Sequence, residues 1–200
     1  MKMHLVLALS LGVAAISGSA HAQSTLDKFL KKNTESSSGK SNVDEPGIKK
    51  VYKSPEGYWQ LHDTRATGGF CAIIYFTPAY YAGFFGPSGD SKVAFMVLDG
   101  PTIPAIKKEK KKRMTITFTD GEVQPTQGIH APSNTHKEIG SIVFQLSSIQ
   151  AALDELKDVE HVTIGMDNKQ VFSIKWKGGH TARAAMQKCL AGTPSAGAKK

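Results

Sequence analysis

Apolar and polar residues alternate in short runs through the first two-thirds of residues 54–191, and glycine, proline and aspartate separate these runs. A period of two residues is typical of a β-strand with one buried face. The pattern predicts strands at 57–63, 69–76, 92–98, 114–119 and 139–146. Asp120 and Gly121 then predict a tight hairpin turn, with a return strand beginning near 122–124. At least this pair of strands is predicted to be antiparallel.

The last third of the chain combines two helical patterns with one further hairpin. Residues 147–150 read Ser-Ser-Ile-Gln, which has the form of a capping box and predicts the start of a helix. Its apolar stripe is spaced i, i+3, i+4 and i+7; the members are Ile149, Ala152, Leu153 and Leu156. Strands at 161–166 and 170–176 flank Asp167 and Asn168, residue types that tolerate positive φ in turns. Thr181 is predicted to cap a second helix.

The order of these elements predicts an α+β domain. It consists of an antiparallel sheet of about seven to eight strands, with a sandwich as one arrangement, and two helices from the C-terminal half packed on one face. The polar stretch 128–137, which contains Pro132, is predicted to be a loop. The chain divides into a signal peptide at 1–22, a flexible polar arm at 23–53, the domain at 54–191 and a disordered tail at 192–200.

The first 22 residues have the form of an export signal. Lys2 precedes an apolar run at 5–16, and the segment ends Ala20-His21-Ala22, a small-x-small cleavage pattern. Cleavage after Ala22 predicts a periplasmic or secreted bacterial protein with no transmembrane segment. Removal of the signal takes one lysine and no acid from 25 basic and 17 acidic residues, so the net charge falls from +8 to +7.

Two cysteines, Cys71 and Cys189, follow the signal. In an oxidising compartment, a pair of this kind predicts a disulfide. Cys71 lies in an apolar strand pattern, and Cys189 lies on the apolar stripe of the second predicted helix. The alternative is a nucleophilic cysteine, for which the surrounding residues give no thiol-enzyme signature.

A basic run at 107–113 contains six cations in seven positions. Its cations are Lys107, Lys108, Lys110, Lys111, Lys112 and Arg113. One interpretation is a lysine-rich strand edge that discourages pairing with another chain. The other is a patch that binds an anionic surface by steering and counterion release. Aromatic residues do not interleave the cations, so the run does not predict a specific nucleic-acid site.

The segment 75–87 is rich in aromatic residues and broken by glycine and proline. Tyr80, Tyr81, Phe84 and Phe85 are predicted to lie in a connecting loop. They either close an open end of the core or form a surface that binds a partner or ligand, since aromatic residues dominate binding hot spots.

Catalytic, cofactor and metal motifs are not found in the sequence, and no cofactor or metal is predicted. Five histidines follow the signal: His62, His130, His136, His161 and His180. The leading hypothesis is an exported, non-enzymatic binding or accessory protein of the bacterial envelope, whose partner or ligand contacts the aromatic loop. One alternative is a small periplasmic hydrolase that uses His130, His136 and Asp120; another is an envelope structural protein.

The strand at 170–176 and the following residues 182–189 resemble the ends of several small exported proteobacterial proteins, including those similar to invasion-associated locus B. The resemblance covers only this end of the domain. Because the chain lacks the additional cysteines of those proteins, no residue role is carried over from them.

Overall fold

The computed structural model describes residues 47–87, 93–133 and 136–192. Within these ranges, the chain forms one antiparallel sheet of ten strands and two α-helices. The predicted α+β class is therefore confirmed, and seven to eight strands is an undercount. The predicted signal peptide, most of the arm and residues 193–200 of the tail lie outside the described residues.

The elements are short. The strands are β1 (Ile48–Lys53), β2 (Tyr58–Asp63), β3 (Cys71–Phe76), β4 (Tyr81–Phe85), β5 (Ala94–Asp99), β6 (Lys110–Thr117), β7 (Val123–Pro132), β8 (Gly140–Leu146), β9 (Glu160–Met166) and β10 (Lys169–Trp176). The helices are α1 (Ile149–Asp154) and α2 (Gly179–Ala191), and one 3₁₀ turn lies at Arg65–Thr67.

The strand order is β1-β2-β3-β4-β5-β8-β7-β6-β9-β10. The first five strands follow one another as a meander. The β6–β7 hairpin is then inserted between β8 and β9, so that Ala94 of β5 pairs with Leu146 of β8. On the other side of the hairpin, Met114 of β6 pairs with Met166 of β9.

The sheet curls until its two ends approach each other. The rings of Trp59 on β2 and Trp176 on β10 lie 5.9 Å apart, although these strands are far apart in the sheet order. Tyr80 packs edge-on against Phe172 of β10 at 5.5 Å. The curled sheet thus encloses an inner face that holds the main core, and both helices pack there through Leu153 of α1 and Met186 of α2.

The opposite, outer face carries a second apolar cluster on β3, β4, β5 and β8. Its buried members are Phe70, Ala72, Ile74, Phe85, Phe95, Val97 and Val143. The central strands are therefore apolar on both faces. Their sequences have no polar alternation for this reason.

The predicted disulfide is present. Cys71 at the start of β3 is bonded to Cys189 near the end of α2, with a Cα–Cα distance of 6.1 Å. The described residues contain no free cysteine, so the nucleophilic alternative is wrong. The bond holds α2 against the β2–β3 side of the inner face, where Met186 and Ala182 are fully buried.

Local signals explain both helix starts. Helix α1 starts within the predicted capping box, but its cap is Ser148, whose hydroxyl accepts a hydrogen bond from the Ala151 N–H at 3.3 Å, and not Ser147, the first residue of the box. Helix α2 starts at Gly179, two residues before the predicted cap Thr181, and this prediction is wrong. The reason is Asp158, whose backbone carbonyl accepts from the Gly179 N–H and whose carboxylate accepts from the His180 N–H.

Three further predictions need correction. Residues 81–85 form the central strand β4 and not a loop, because their aromatic side chains pack on both faces of the sheet. Residues 128–132 belong to β7, where Pro132 is the last strand residue. Residues 48–53 form the edge strand β1 although the sequence placed them in the arm.

Candidate functional site

A cavity of about 230 Å³ lies between α1 and the inner face of the sheet. Most of its wall is apolar, and strands β4 to β10 contribute to it. The main apolar lining residues are Phe84, Met96, Ile116, Phe118, Phe144 and Trp176. The opposite wall is formed by Ala151 and Ala152 of α1 and by Leu156, which lies just after the end of this helix.

Small residues create this space. Ala152 occupies a position on the apolar stripe of α1 where a larger side chain would reach further toward the sheet. Since protein interiors are normally close-packed, an apolar void of this size beside a short helix is a candidate binding site.

The polar end of the cavity is a network centred on Glu160. This side chain is buried, and its Oε1 accepts hydrogen bonds from the N–H groups of Thr119 at 2.9 Å and His161 at 3.0 Å. Its Oε2 lies 3.3 Å from Lys157 Nζ, which also pairs with Asp120 at 3.0 Å. The indole N–H of Trp176 donates to the Lys157 carbonyl at 3.2 Å.

These contacts fix the charge states at the polar end. Burial by itself would raise the pKa of Glu160, but the hydrogen bonds from Thr119 and His161, together with Lys157, hold it below its usual value. The hydrogen bond to Asp120 raises the pKa of Lys157. Both groups stay ionised at neutral pH and have their partners within the protein. The site therefore offers an apolar wall with a closed polar end and no poised acid and base.

The four predicted aromatic site residues do not form one surface. Phe84 lines the cavity, whereas Phe85 belongs to the outer cluster. Tyr80 packs on Phe172, and burial together with the nearby carboxylate of Asp99 raises the pKa of Tyr81. Their shared role in binding stays a prediction, and only Phe84 lies at the cavity.

The basic run is largely exposed. Its exposed members are Lys107, Lys108, Lys110, Lys111 and Arg113, whereas Lys112 is half-buried and pairs with Asp167 at 2.8 Å. Strand β6 pairs with β7 along its whole length but with β9 only from Met114 onward. Residues 110–113 therefore belong to the part of β6 that pairs with β7 but not with β9. Binding to an anionic surface stays a prediction.

The residues of the hydrolase alternative are not brought together. Asp120 lies in the turn that joins β6 to β7, whereas His130 pairs with Lys110 at the other end of this hairpin. His130 lies seven positions after Val123 on β7, which is about 24 Å along a strand. His130 is buried with Nε2 2.7 Å from the Pro104 carbonyl, and His136 is exposed.

One group among the described residues has the composition of a metal site. Ligand atoms of Asp63, Cys71 and Cys189 lie within 4.8 Å of one another. Both sulfur atoms are used in the disulfide, and the Asp63 carboxylate pairs with the Arg65 guanidinium at 2.9 Å. This group therefore has no free thiolate to offer a metal ion.

Sequence reasoning missed the cavity because its wall is assembled from residues between positions 84 and 176. The available signal was Ala152, a small residue on the apolar stripe of the predicted helix. No helix in the described ranges combines the length and hydropathy needed to cross a membrane. Comparison with protein-family models, curated proteins and solved structures gave no match to this chain.

Proposed function

We propose that this chain is an exported binding protein of the bacterial envelope that holds an apolar group of a ligand or partner in the cavity beneath α1. The observation that carries the proposal is the cavity itself, whose mostly apolar wall is built largely from residues of the main core. The Cys71–Cys189 bond supports an oxidising compartment. The ion pair of Glu160 with Lys157 at the polar end supports binding without chemistry.

The size of the cavity limits the ligand. A dry engineered cavity of about 150 Å³ accepts benzene, and drug-sized ligands occupy about 300 to 1,000 Å³. A cavity of about 230 Å³ therefore suits one substituted aromatic ring or a short alkyl chain. Larger molecules would place only part of their surface inside.

The charges around the cavity limit the ligand further. Glu155, Lys157 and Glu160 line the polar end, and Asp120 pairs with Lys157. Three carboxylates against one ammonium give this end a negative potential. Because like charges repel, a neutral or cationic polar end on the ligand is favoured over a carboxylate.

The test is a titration with N-phenyl-1-naphthylamine, a neutral apolar probe that fluoresces when it leaves water and that can place one of its two aromatic groups inside the cavity. We expect saturable binding together with a change in tryptophan emission, because Trp176 is in the cavity wall. The variant Ala152→Leu fills the cavity from the helix side and is expected to lose most of this binding.

The matched control is Ala184→Leu, which makes the same change at an exposed position of α2. It is expected to bind the probe as the unaltered protein does. Non-saturable binding by the unaltered protein, or equal binding by Ala152→Leu and Ala184→Leu, would contradict the proposal.

A further inference from the structure

The outer face of the sheet carries more apolar surface than its described surroundings explain. Phe95 and Val97 on β5 are 5 % and 3 % exposed, and Val143 on β8 is 1 % exposed. Phe85 and Ile74 continue this outer cluster across β4 and β3. Full burial of side chains on the face of a sheet requires another layer above them.

Both described helices lie on the other side of the sheet. Helix α1 joins the inner core through Leu153, and α2 joins it through Ala182, Met186 and Cys189. Neither helix contributes a residue to the outer cluster. A layer above the outer face therefore has to come from another part of the chain or from another molecule.

The start of the described chain lies at the appropriate place. The Gly47 carbonyl accepts a hydrogen bond from the Asp63 N–H at 2.7 Å, at the end of β2. Asp63 is paired with Cys71 at the start of β3. The next residue of β3, Ala72, is paired with Phe85 on β4. Phe85 pairs in turn with Phe95. The polypeptide that precedes Gly47 is therefore joined to the sheet at the end where the aromatic part of the outer cluster lies.

That preceding polypeptide contains one amphipathic segment. Residues 24–32 read Ser-Thr-Leu-Asp-Lys-Phe-Leu-Lys-Lys, in which Leu26, Phe29 and Leu30 are spaced i, i+3 and i+4. This spacing places the three apolar side chains on one helical face, with Lys28 on the opposite side. A helix this short is marginal by itself in water and gains its stability by packing on an apolar surface.

We propose that residues 24–32 dock on the outer face as a short amphipathic helix, with Leu26, Phe29 and Leu30 against the outer cluster. Fourteen residues, 33–46, join this segment to Gly47. They can span up to about 46 Å when extended. Four strand spacings from β1 to β5 amount to about 19 Å, so the connection is long enough.

The test maps this contact directly. The full chain is expressed with its leader, the N-terminus of the recovered protein is read by mass spectrometry, and a photoreactive p-benzoylphenylalanine is placed at position 29. After irradiation, we expect crosslinks within one chain, to peptides covering residues 70–97. The matched control places the same group at position 28, on the lysine face, and we expect a several-fold lower yield there. Near-UV circular dichroism verifies that both proteins are folded.

Three results would overturn the proposal. Crosslinks from position 29 between two chains would assign the outer face to a second copy of the protein. Equal yields from positions 28 and 29 would show that the segment does not dock through its apolar side. A folded protein without crosslinks to residues 70–97 would show that the segment lies elsewhere.

Discussion

Removal of the Cys71–Cys189 bond tests how this fold is held together. The double variant Cys71→Ala/Cys189→Ala frees a loop closed by residues 118 positions apart. For a loop of this length, the chain-entropy relation gives about 16 cal/mol/K, or about 5 kcal/mol at 25 °C. Because both sulfur positions are buried, the lost packing adds to this value.

The assay is urea unfolding monitored by tryptophan emission. With a slope of about 2 kcal/mol per molar urea, typical of a small domain, a loss of 5 kcal/mol lowers the midpoint by about 2.5 M. The unaltered protein with its disulfide reduced is the control, because it keeps both sulfur atoms and loses only the link. We expect its midpoint to fall by about 2.5 M, and that of the double variant to fall somewhat further because of the lost packing.

A midpoint within about 0.5 M of the oxidised protein, equivalent to about 1 kcal/mol at that slope, would refute this reasoning. Such a result would mean that the unfolded chain is already constrained at these two positions. A large shift for the variant and none for the reduced protein would assign the effect to packing.

Three further perturbations follow from the described contacts. Burial lowers the pKa of His62 from 6.5 to about 4, so the unfolded state binds more protons than the folded state between these pH values. The free energy of unfolding therefore falls by up to about 3 kcal/mol as the pH drops from 6.5 to about 4. His62→Gln should remove this pH dependence of stability, and an unchanged pH profile would contradict the assignment. Gly178 has φ +78° and its Cβ position lies 2.4 Å from the Tyr52 ring, so Gly178→Ala should cost at least about 1 to 3 kcal/mol in thermal unfolding, whereas a neutral effect would be contrary to this geometry. Glu160→Gln removes the charge that faces Lys157 and should cost about 1 to 2 kcal/mol, and equal stability at pH 7 would show that the network contributes nothing.

The elements that sequence predicted well are those with one buried face. Strand β9 alternates buried residues with half-buried or exposed ones along its whole length, and α1 starts within its predicted capping box and has its predicted stripe. Strand β4 was missed because Phe84 packs on the inner face and Phe85 on the outer face. Gly83 between Ala82 and Phe84 suggested a loop, yet a Cβ there would lie 2.6 Å from the Phe85 ring, so the strand requires glycine.

The candidate site was less predictable than the disulfide, for a physical reason. A disulfide needs only two residues, and the strand alternation of Cys71 and the helical stripe of Cys189 both pointed inward. The cavity is unfilled space between α1 and the sheet, and its size follows from the distance between Ala152 on the helix and Phe144 and Trp176 on the sheet. Sequence spacing carries no information on that distance.

The insertion of the β6–β7 hairpin between β8 and β9 has a kinetic consequence. The hairpin itself needs only local pairing and can form in about 1 to 10 μs. Its pairing with β8 is also local, since Ala131 of β7 pairs with Ser141 of β8. The β5–β8 and β6–β9 seams, in contrast, join residues that are distant in sequence, Ala94 with Leu146 and Met114 with Met166. Each seam must overcome the entropy of closing a long loop before its contacts stabilise it. We therefore expect folding to be limited by the closing of these two seams, on the millisecond-to-second scale of proteins dominated by non-local strand pairing.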